Sequence, residues 1–330
     1  MLEILYVYTP FPSKQLDGIL KTDSARRIIN HSHSGFIPNT LLKILHKNGK
    51  INLTEYPITK SKELINILNL TLHTKIDIII FGLLQFDYIN KQAAEIIDVA
   101  NNFVHKHAVT TINLHMHCKA TSDYKFNGAL LESEFPKIAK PIWNGTIKDN
   151  NFFIIEDKIQ LSSIIKNKSD HIDNFLLEDF YQPPKRDNGF YEIERWTYIC
   201  GDLTVSIRQS KDKIIKYLNS VQWTYRDPRL LNHEFEILVD RKLRTKNTIH
   251  GISTGFAYDQ DSTWWDKRYR ALNSFLADKA GLDICTLDVI NYEDELKVID
   301  YNELTFETGP DGLLLIWSNR VLDHIKSKLT

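Results

Sequence analysis

Residues 282–290 read Leu-Asp-Ile-Cys-Thr-Leu-Asp-Val-Ile, and residues 296–303 read Leu-Lys-Val-Ile-Asp-Tyr-Asn-Glu, with Asn-Tyr-Glu-Asp-Glu between them. Two apolar runs around a short acidic turn predict adjacent strands joined as a hairpin. Asp288 falls in the first strand, Asp300 and Asn302 in the second. Residues two apart on a strand share a face. If the strands pair about the turn, Asp288 comes near Asp300 on that face. Two carboxylates brought together repel and lose hydration unless a cation joins them. Oxygen donors in such a set suit Mg²⁺, which is usually held by one or two carboxylates plus substrate phosphates. The same spacing also fits two aspartates facing solvent on an edge hairpin.

Working outward, the chain has 330 residues, enough for two or three packed units. It is 42% hydrophobic and 25% charged, the balance of a soluble globular protein. A net charge of −1 argues against a general nucleic-acid binder or a binder of acidic membranes. Three scattered cysteines, Cys118, Cys200 and Cys285, make no disulfide framework and fit a reducing, cytoplasmic setting. No run approaches the length of a membrane span. The start, Met-Leu-Glu-Ile-Leu-Tyr, reads as a first strand rather than a signal peptide. The pairs His31/His33 and His115/His117 lack a second ligand pair at zinc spacing, so no transition-metal site is expected.

Residues 2–9 read as a buried strand, 40–46 as a helix stopped by Asn48-Gly49, and 51–56 as a short strand. A helix over 61–72 precedes Lys-Ile-Asp-Ile-Ile-Ile-Phe-Gly-Leu-Leu-Gln at 75–85, a continuous β-branched run of the kind buried on both faces of a parallel sheet. A helix over 90–107 and a strand over 109–116 complete a βαβ unit. Residues 1–118 are therefore expected to form an α/β layer. Beyond them, a short apolar strand ends at Lys140-Pro141, residues 151–160 alternate like a strand hairpin, and 161–168 read as a helix. Phe-Leu-Leu-Glu-Asp-Phe-Tyr at 175–181 is the next strand. Residues 191–208 predict a hairpin about a two-residue turn at Gly201-Asp202. Residues 220–270 are rich in aromatics and bases, with strands expected over 235–240 and 249–258. A helix from Trp264 to the glycine at 281 and another over 312–328 complete the reading.

The set Asp288…Asp300-Tyr301-Asn302, followed by Gly309-Pro310, resembles the metal-binding signature of the ATP-grasp superfamily. Other landmarks of that family's layout stand upstream in the same order, so the resemblance covers about residues 119–317. Three departures are plain. Gly309-Pro310 comes later than the family's Pro-Gly turn and in the reverse order. Asp300 stands where the family more often has glutamate, and the loop after Lys140 holds only Asn144-Gly145-Thr146 where the family has a glycine-rich loop.

The resemblance implies an α+β ATP-grasp fold with two subdomains gripping ATP, behind an α/β N-terminal layer. It divides the chain at 1–118, 119–183 and 184–330, the central or lid subdomain preceding the catalytic one. It implies ATP and Mg²⁺ as cofactors. Lys140 resembles the lid lysine that reaches the α- and β-phosphates as a point charge; a surface lysine at a strand end has the same spacing. Lys119 or Lys125 corresponds to the family's earlier lysine. Glu178, Asp179 and Phe180 correspond to the hinge strand against adenine, though an ordinary strand with a polar edge reads the same way. Glu194, with Glu192 as the alternative, corresponds to the acidic residue on the ribose hydroxyls. Counting back from the expected turn puts the family's usual arginine at Trp196, one residue from Arg195. Arg208, Arg241 and Arg244 correspond to arginines that approach substrate or phosphate. Asp288, Asp300 and Asn302 are the implied metal ligands.

The implied reaction is amide or peptide bond formation between a carboxylate and an amine acceptor through an acyl phosphate. A small-molecule or peptide carboxylate, and a homodimer, fit the same family. A kinase phosphorylating a hydroxyl of a small anionic acceptor, or a non-catalytic nucleotide-binding module, stays open at this point.

Overall fold

The structure, a computed structural model, describes residues 1–9, 37–82, 91–112, 114, 134–141, 153–167, 175–215, 221–226, 262–277, 282–292, 295–302 and 311–330. The chain divides into two compact units. One holds Met1–Glu3, Phe36–Leu53 and Gln182–Thr330; the other holds Ile4–Gly35 and Thr54–Tyr181.

The N-terminal layer is a four-stranded sheet of β1 (Leu2–Tyr8), β2 (Ile51–Pro57), β3 (Ile78–Gly82) and β4 (Thr111–Ile112), in the order β2-β1-β3-β4. Between them in sequence come α1 (Ile37–Lys47), α2 (Ser61–Thr71) and α3 (Lys91–His107). β1 runs parallel to β3, and β3 to β4. All five residues of β3 are buried, as its β-branched composition requires of a central parallel strand. One face joins Leu5, Val7, Ile79 and Phe81 to Leu64 and Leu68 of α2 and Ile96, Ile97 and Ala100 of α3. Each such Leu, Ile, Val or Phe side chain contributes about 1.5–3 kcal/mol when fully buried.

Residues 134–181 contribute a three-stranded antiparallel sheet in the order β6-β5-β7: β5 (Lys137–Pro141), β6 (Phe153–Ile155) and β7 (Phe175–Asp179). Helix α4 (Lys158–Asn167) begins earlier than the alternation of residues 151–160 suggested, so that stretch yields one short strand and a helix start rather than a strand hairpin. Leu161 and Ile164 of α4 pack with Ala139 and Ile155.

The C-terminal sheet has five antiparallel strands in the order β10-β9-β8-β11-β12. They are β8 (Tyr191–Ile199), β9 (Asp202–Ser210), β10 (Val221–Arg226), β11 (Ile284–Tyr292) and β12 (Glu295–Asn302). β10 was not anticipated, because its Trp, Tyr and Arg read as part of a basic surface stretch. The β8–β9 turn also differs from expectation. Ile199 pairs with Asp202, so the turn residues are Cys200 and Gly201. Both have positive φ, 48° and 95°, the requirement of a type I′ turn whose twist matches that of its strands.

Helix α5 (Ser262–Ala277) covers one face of this sheet. Leu272 and Leu276 pack there on Trp196, Leu203, Val205, Ile207, Cys285, Leu287 and Val289. Helix α6 (Asp311–Leu329) donates an indole hydrogen bond from Trp317 to Thr204 at 3.4 Å, on the opposite face. Arg320 pairs with Asp202, and His324 and Lys328 with Asp283, which ties α6 to the turn end of β8 and β9. α1 packs against α6. No helix among the described residues is long and apolar enough to cross a membrane.

Gly82 ends β3 beneath Tyr6. A Cβ built there would lie 2.2 Å from the Tyr6 hydroxyl oxygen and 2.8 Å from Cζ, and Tyr6 is fully buried, stacked on Tyr8 at 5.1 Å between ring centroids. Gly82→Ala is expected to lower stability by about 1–3 kcal/mol in urea denaturation, with Tyr6→Phe restoring part of the loss. A neutral Gly82→Ala would show that Tyr6 is not held there.

Candidate functional site

The antiparallel register assembles the site. Across the C-terminal sheet, Asp300 pairs with Asp288, Asp288 with Arg195, Arg195 with Ser206, and Ser206 with Tyr225. The next row toward the β8–β9 turn is Asn302, Thr286, Thr197 and Thr204. Arg208 lies two residues along β9 from Ser206 and is buried. This is the face away from α5, and it is unusually polar for a buried surface: Thr197, Thr204, Ser206, Arg208, Thr286 and Asp288 are all buried.

One irregularity makes this row possible. Val289 pairs with Val298, but Asp288 pairs with Asp300, so Ile299 is an extra residue in β12. Had the register continued regularly from the turn, where Tyr292 pairs with Glu295, Asp288 would have faced Ile299. Asp300 would then have followed Val298 onto the side that packs against α5. The bulge turns Asp300 and the register position of Asn302 to the side of Asp288.

Arg195 grips Asp288 with both ends of its guanidinium edge. Nε donates to Oδ1 and Nη2 to Oδ2, each at 2.6 Å. The two side chains are 15% and 11% exposed. Such a bidentate, charge-assisted pair is short and directional. The turn expected from the sequence stands one residue later than the actual one. With the turn at Cys200 and Gly201, the count that landed on Trp196 lands on Arg195 instead.

The neighbouring residue does the opposite thing on the opposite face. Glu194 pairs across to Val289 and sits on the α5 side. Arg268 Nε donates to both of its oxygens at 3.0 Å, and Trp196 Nε1 donates to Oε2 at 2.9 Å. Burial pushes the Glu194 carboxyl above the usual glutamate range, against the pull of Arg268 and the indole. The structure therefore does not bring Glu194 together with Asp288. Glu192, the alternative, pairs with Arg186 and accepts from Gln209 Nε2 at 2.6 Å.

In the three-stranded sheet, Lys137 and Asp179 face each other across β5 and β7 and form an ion pair. They share strand parity with Ala139, which packs against α4. Glu178 pairs with Ile138 on the other side, and Lys140 holds the register position opposite Leu176, at the parity of Ile138. Glu178 thus belongs to one side and Asp179 to the other. The backbone N–H of Phe180, beyond the end of β7, donates to Pro136 O at 3.1 Å. Lys119, Lys125, Arg241, Arg244 and the pairs His31/His33 and His115/His117 lie outside the described residues.

The donor set on the polar face suits a hard divalent cation. Asp288 and Asp300 are opposed carboxylates, and Asn302 stands one register step beyond Asp300 on the same strand parity. All three are oxygen donors of the type Mg²⁺ accepts. Among the described residues no group of three or more His, Cys, Asp or Glu is placed to hold a metal. Each Asp288 oxygen already takes one N–H but keeps a second lone pair. Metal ligation there requires the guanidinium to share the carboxylate or give it up.

No protein-family model and no curated protein matches the chain. Solved structures do. The D-alanine–D-alanine ligase of Bacillus anthracis is 11% identical, covers 100% of this chain and 97% of its own, and superposes with a TM-score of 0.50. The same enzyme complexed with ATP is 10% identical at the same coverage, with a TM-score of 0.51. A RimK domain ATP-grasp protein from Sphaerobacter thermophilus is 10% identical over 98% of this chain and 99% of that one, with a TM-score of 0.42. At such identities the first two likenesses speak for the fold.

The Glu194–Arg268 pair gives a pH test. Replacing Arg268 by Met leaves a buried carboxylate without its cation, a change that costs about 3–5 kcal/mol at neutral pH. A carboxyl whose folded pKa is raised contributes stability below its unfolded pKa and loses it as pH rises through the folded one. Relative to the native chain, Arg268→Met should therefore be least impaired near the ordinary glutamate range and increasingly destabilised toward neutrality in denaturation followed across pH. A pH-independent difference would assign the loss to packing alone.

Proposed function

We propose, from the premise that this chain has the ATP-grasp fold, that it is an ATP-dependent carboxylate–amine ligase. The observation that carries the proposal is the opposition of Asp288 and Asp300 on a buried polar sheet face beside Arg195 and Arg208. Such a face has little use in a merely structural sheet, since buried charges cost free energy unless paired.

In the proposed reaction a carboxylate oxygen attacks the γ-phosphorus of ATP and ADP leaves, giving an acyl phosphate. The amine then attacks the acyl carbon, inorganic phosphate leaves, and the amine nitrogen loses a proton. Phosphoryl transfer of this kind asks the protein for positioning and charge neutralisation rather than for a nucleophilic side chain. Mg²⁺, when bound, would neutralise charge that develops on the phosphate oxygens. Asp288, Asp300 and Asn302 would hold it. Arg208 would face phosphate or the acyl group, and Arg241 and Arg244 keep the same proposed role. Lys140 and either Lys119 or Lys125 are proposed as phosphate lysines. Glu178, Asp179 and Phe180 remain proposed at the adenine, and Glu194 at the ribose, although Asp179 and Glu194 meet other side chains in this structure. A small-molecule or peptide acid and an amine acceptor are the proposed substrates. Cys200 and Cys285 are free thiols, consistent with a cytoplasmic setting.

Thermal unfolding with and without Mg²⁺-ATP tests this first. A ligand at 100 times its Kd adds about 2.7 kcal/mol. Mg²⁺-ATP should stabilise the native chain, and Asp300→Ala should lose most of that gain. Phosphate release should then require a carboxylate and an amine together. Transfer of labelled phosphate to a single hydroxyl acceptor would make the chain a kinase. Binding without turnover would make it a nucleotide-binding module.

A further inference from the structure

Arg195 and Asp288 are held in place by main chain before their side chains meet. β8 lies between β9 and β11, bonded to both, and the ladder sets Arg195 directly opposite Asp288. The same ladder sets Asp300 opposite Asp288 from the other side. Asp288 therefore stands in the middle of a row, with a cation on one flank and a carboxylate on the other. Its two oxygens are both committed to the guanidinium at 2.6 Å. A divalent cation binding between Asp288 and Asp300 would draw on the same carboxylate and neutralise the same charge. Two cations at one carboxylate repel, so each weakens the other's hold. Arg195 sits on a long flexible stem and keeps some contact with solvent, so it can move off Asp288 by rotamer change while the strands stay put.

We propose that Arg195 is a resident counter-cation of Asp288 that competes with the divalent metal, holding the affinity of the bare protein for metal ion low. This rests on reading Asp288 and Asp300 as metal ligands. On this account Arg195 is a positioning residue: it acts on the metal through Asp288. Metal arriving with the phosphates of a nucleotide brings extra ligands and can displace the guanidinium. Metal alone meets an already neutralised carboxylate. The bulge at Ile299 belongs to the same device, since it supplies the second carboxylate that makes displacement worthwhile.

The test uses the full chain without nucleotide and Mn²⁺ alone as probe, followed by electron paramagnetic resonance and calorimetric titration. Arg195→Met keeps the apolar stem and removes the charge. It should bind Mn²⁺ about tenfold or more tightly than the native chain. Arg195→Lys keeps the charge but cannot make the double bond, and should fall between the two; it also serves if the methionine variant does not fold. Adding Asp300→Ala to either variant should abolish the gain. Arg195 variants that bind Mn²⁺ no more tightly than the native chain would overturn the proposal. So would a tightening that survives Asp300→Ala, because the ion would then sit elsewhere. Stabilisation of the native chain by Mg²⁺-ATP, lost in Asp300→Ala, reports separately on the metal-ligand reading. If that stabilisation is present while Arg195 has no effect on Mn²⁺, only the counter-cation idea fails.

Discussion

The single extra residue in β12 governs the chemistry of the C-terminal sheet. Ile299 interrupts the ladder between the pairs Val289–Val298 and Asp288–Asp300. On the turn side of the bulge, Leu296 and Val298 join the apolar face beneath α5. On the other side, Asp300 joins Asp288. Strand alternation is strict, so one inserted residue exchanges the two faces for everything beyond it. Without that insertion the hairpin would keep its apolar core and lose its opposed carboxylates.

A polar face of this kind has to be neutralised within itself. β8 shows how, in two consecutive residues. Arg195 pairs with Asp288 on one side and Glu194 pairs with Arg268 on the other. Each pair costs desolvation, and each is bidentate or doubly hydrogen-bonded, the geometry that offsets that cost best. The difference lies in their surroundings. Glu194 is held by a helix arginine and an indole on the α5 side, away from Asp288. The Arg195–Asp288 pair lies in a row with another carboxylate and with Arg208 nearby, which suits a charge that can be exchanged.

The N-terminal layer was readable because its signals are local. A β-branched run with no polar break declares a doubly covered strand, and β3 is buried along its whole length. Helical spacing with a Gly stop located α1, and the strand–helix–strand alternation announced parallel pairing. The ATP-grasp fold was expected for a different reason: several short motifs stood in one order along the chain, and the likeness to D-alanine–D-alanine ligase is one of fold. What escaped was β10, whose Val-Gln-Trp-Thr-Tyr-Arg alternation lies inside a stretch crowded with bases, and the β8–β9 turn. Cys200 gives no sign that it will take a positive φ, so Gly201 alone drew the turn toward Asp202. That one-residue slip hid Arg195, because on a strand a slip of one is a change of face.

The sequence by itself determined most of the described strands and helices, the hairpin around residues 291–295, and the presence in it of Asp288, Asp300 and Asn302. These follow from periodicity and turn composition, which act over a few residues. Only the tertiary structure decided the partners. The bulge at Ile299, the pairing of Arg195 with Asp288 and the burial of Glu194 against Arg268 depend on register between strands up to about a hundred residues apart in sequence and on which face a distant helix covers. Cross-strand register is set by the sum of many backbone hydrogen bonds and by the packing of a whole face, and no short stretch of sequence contains either.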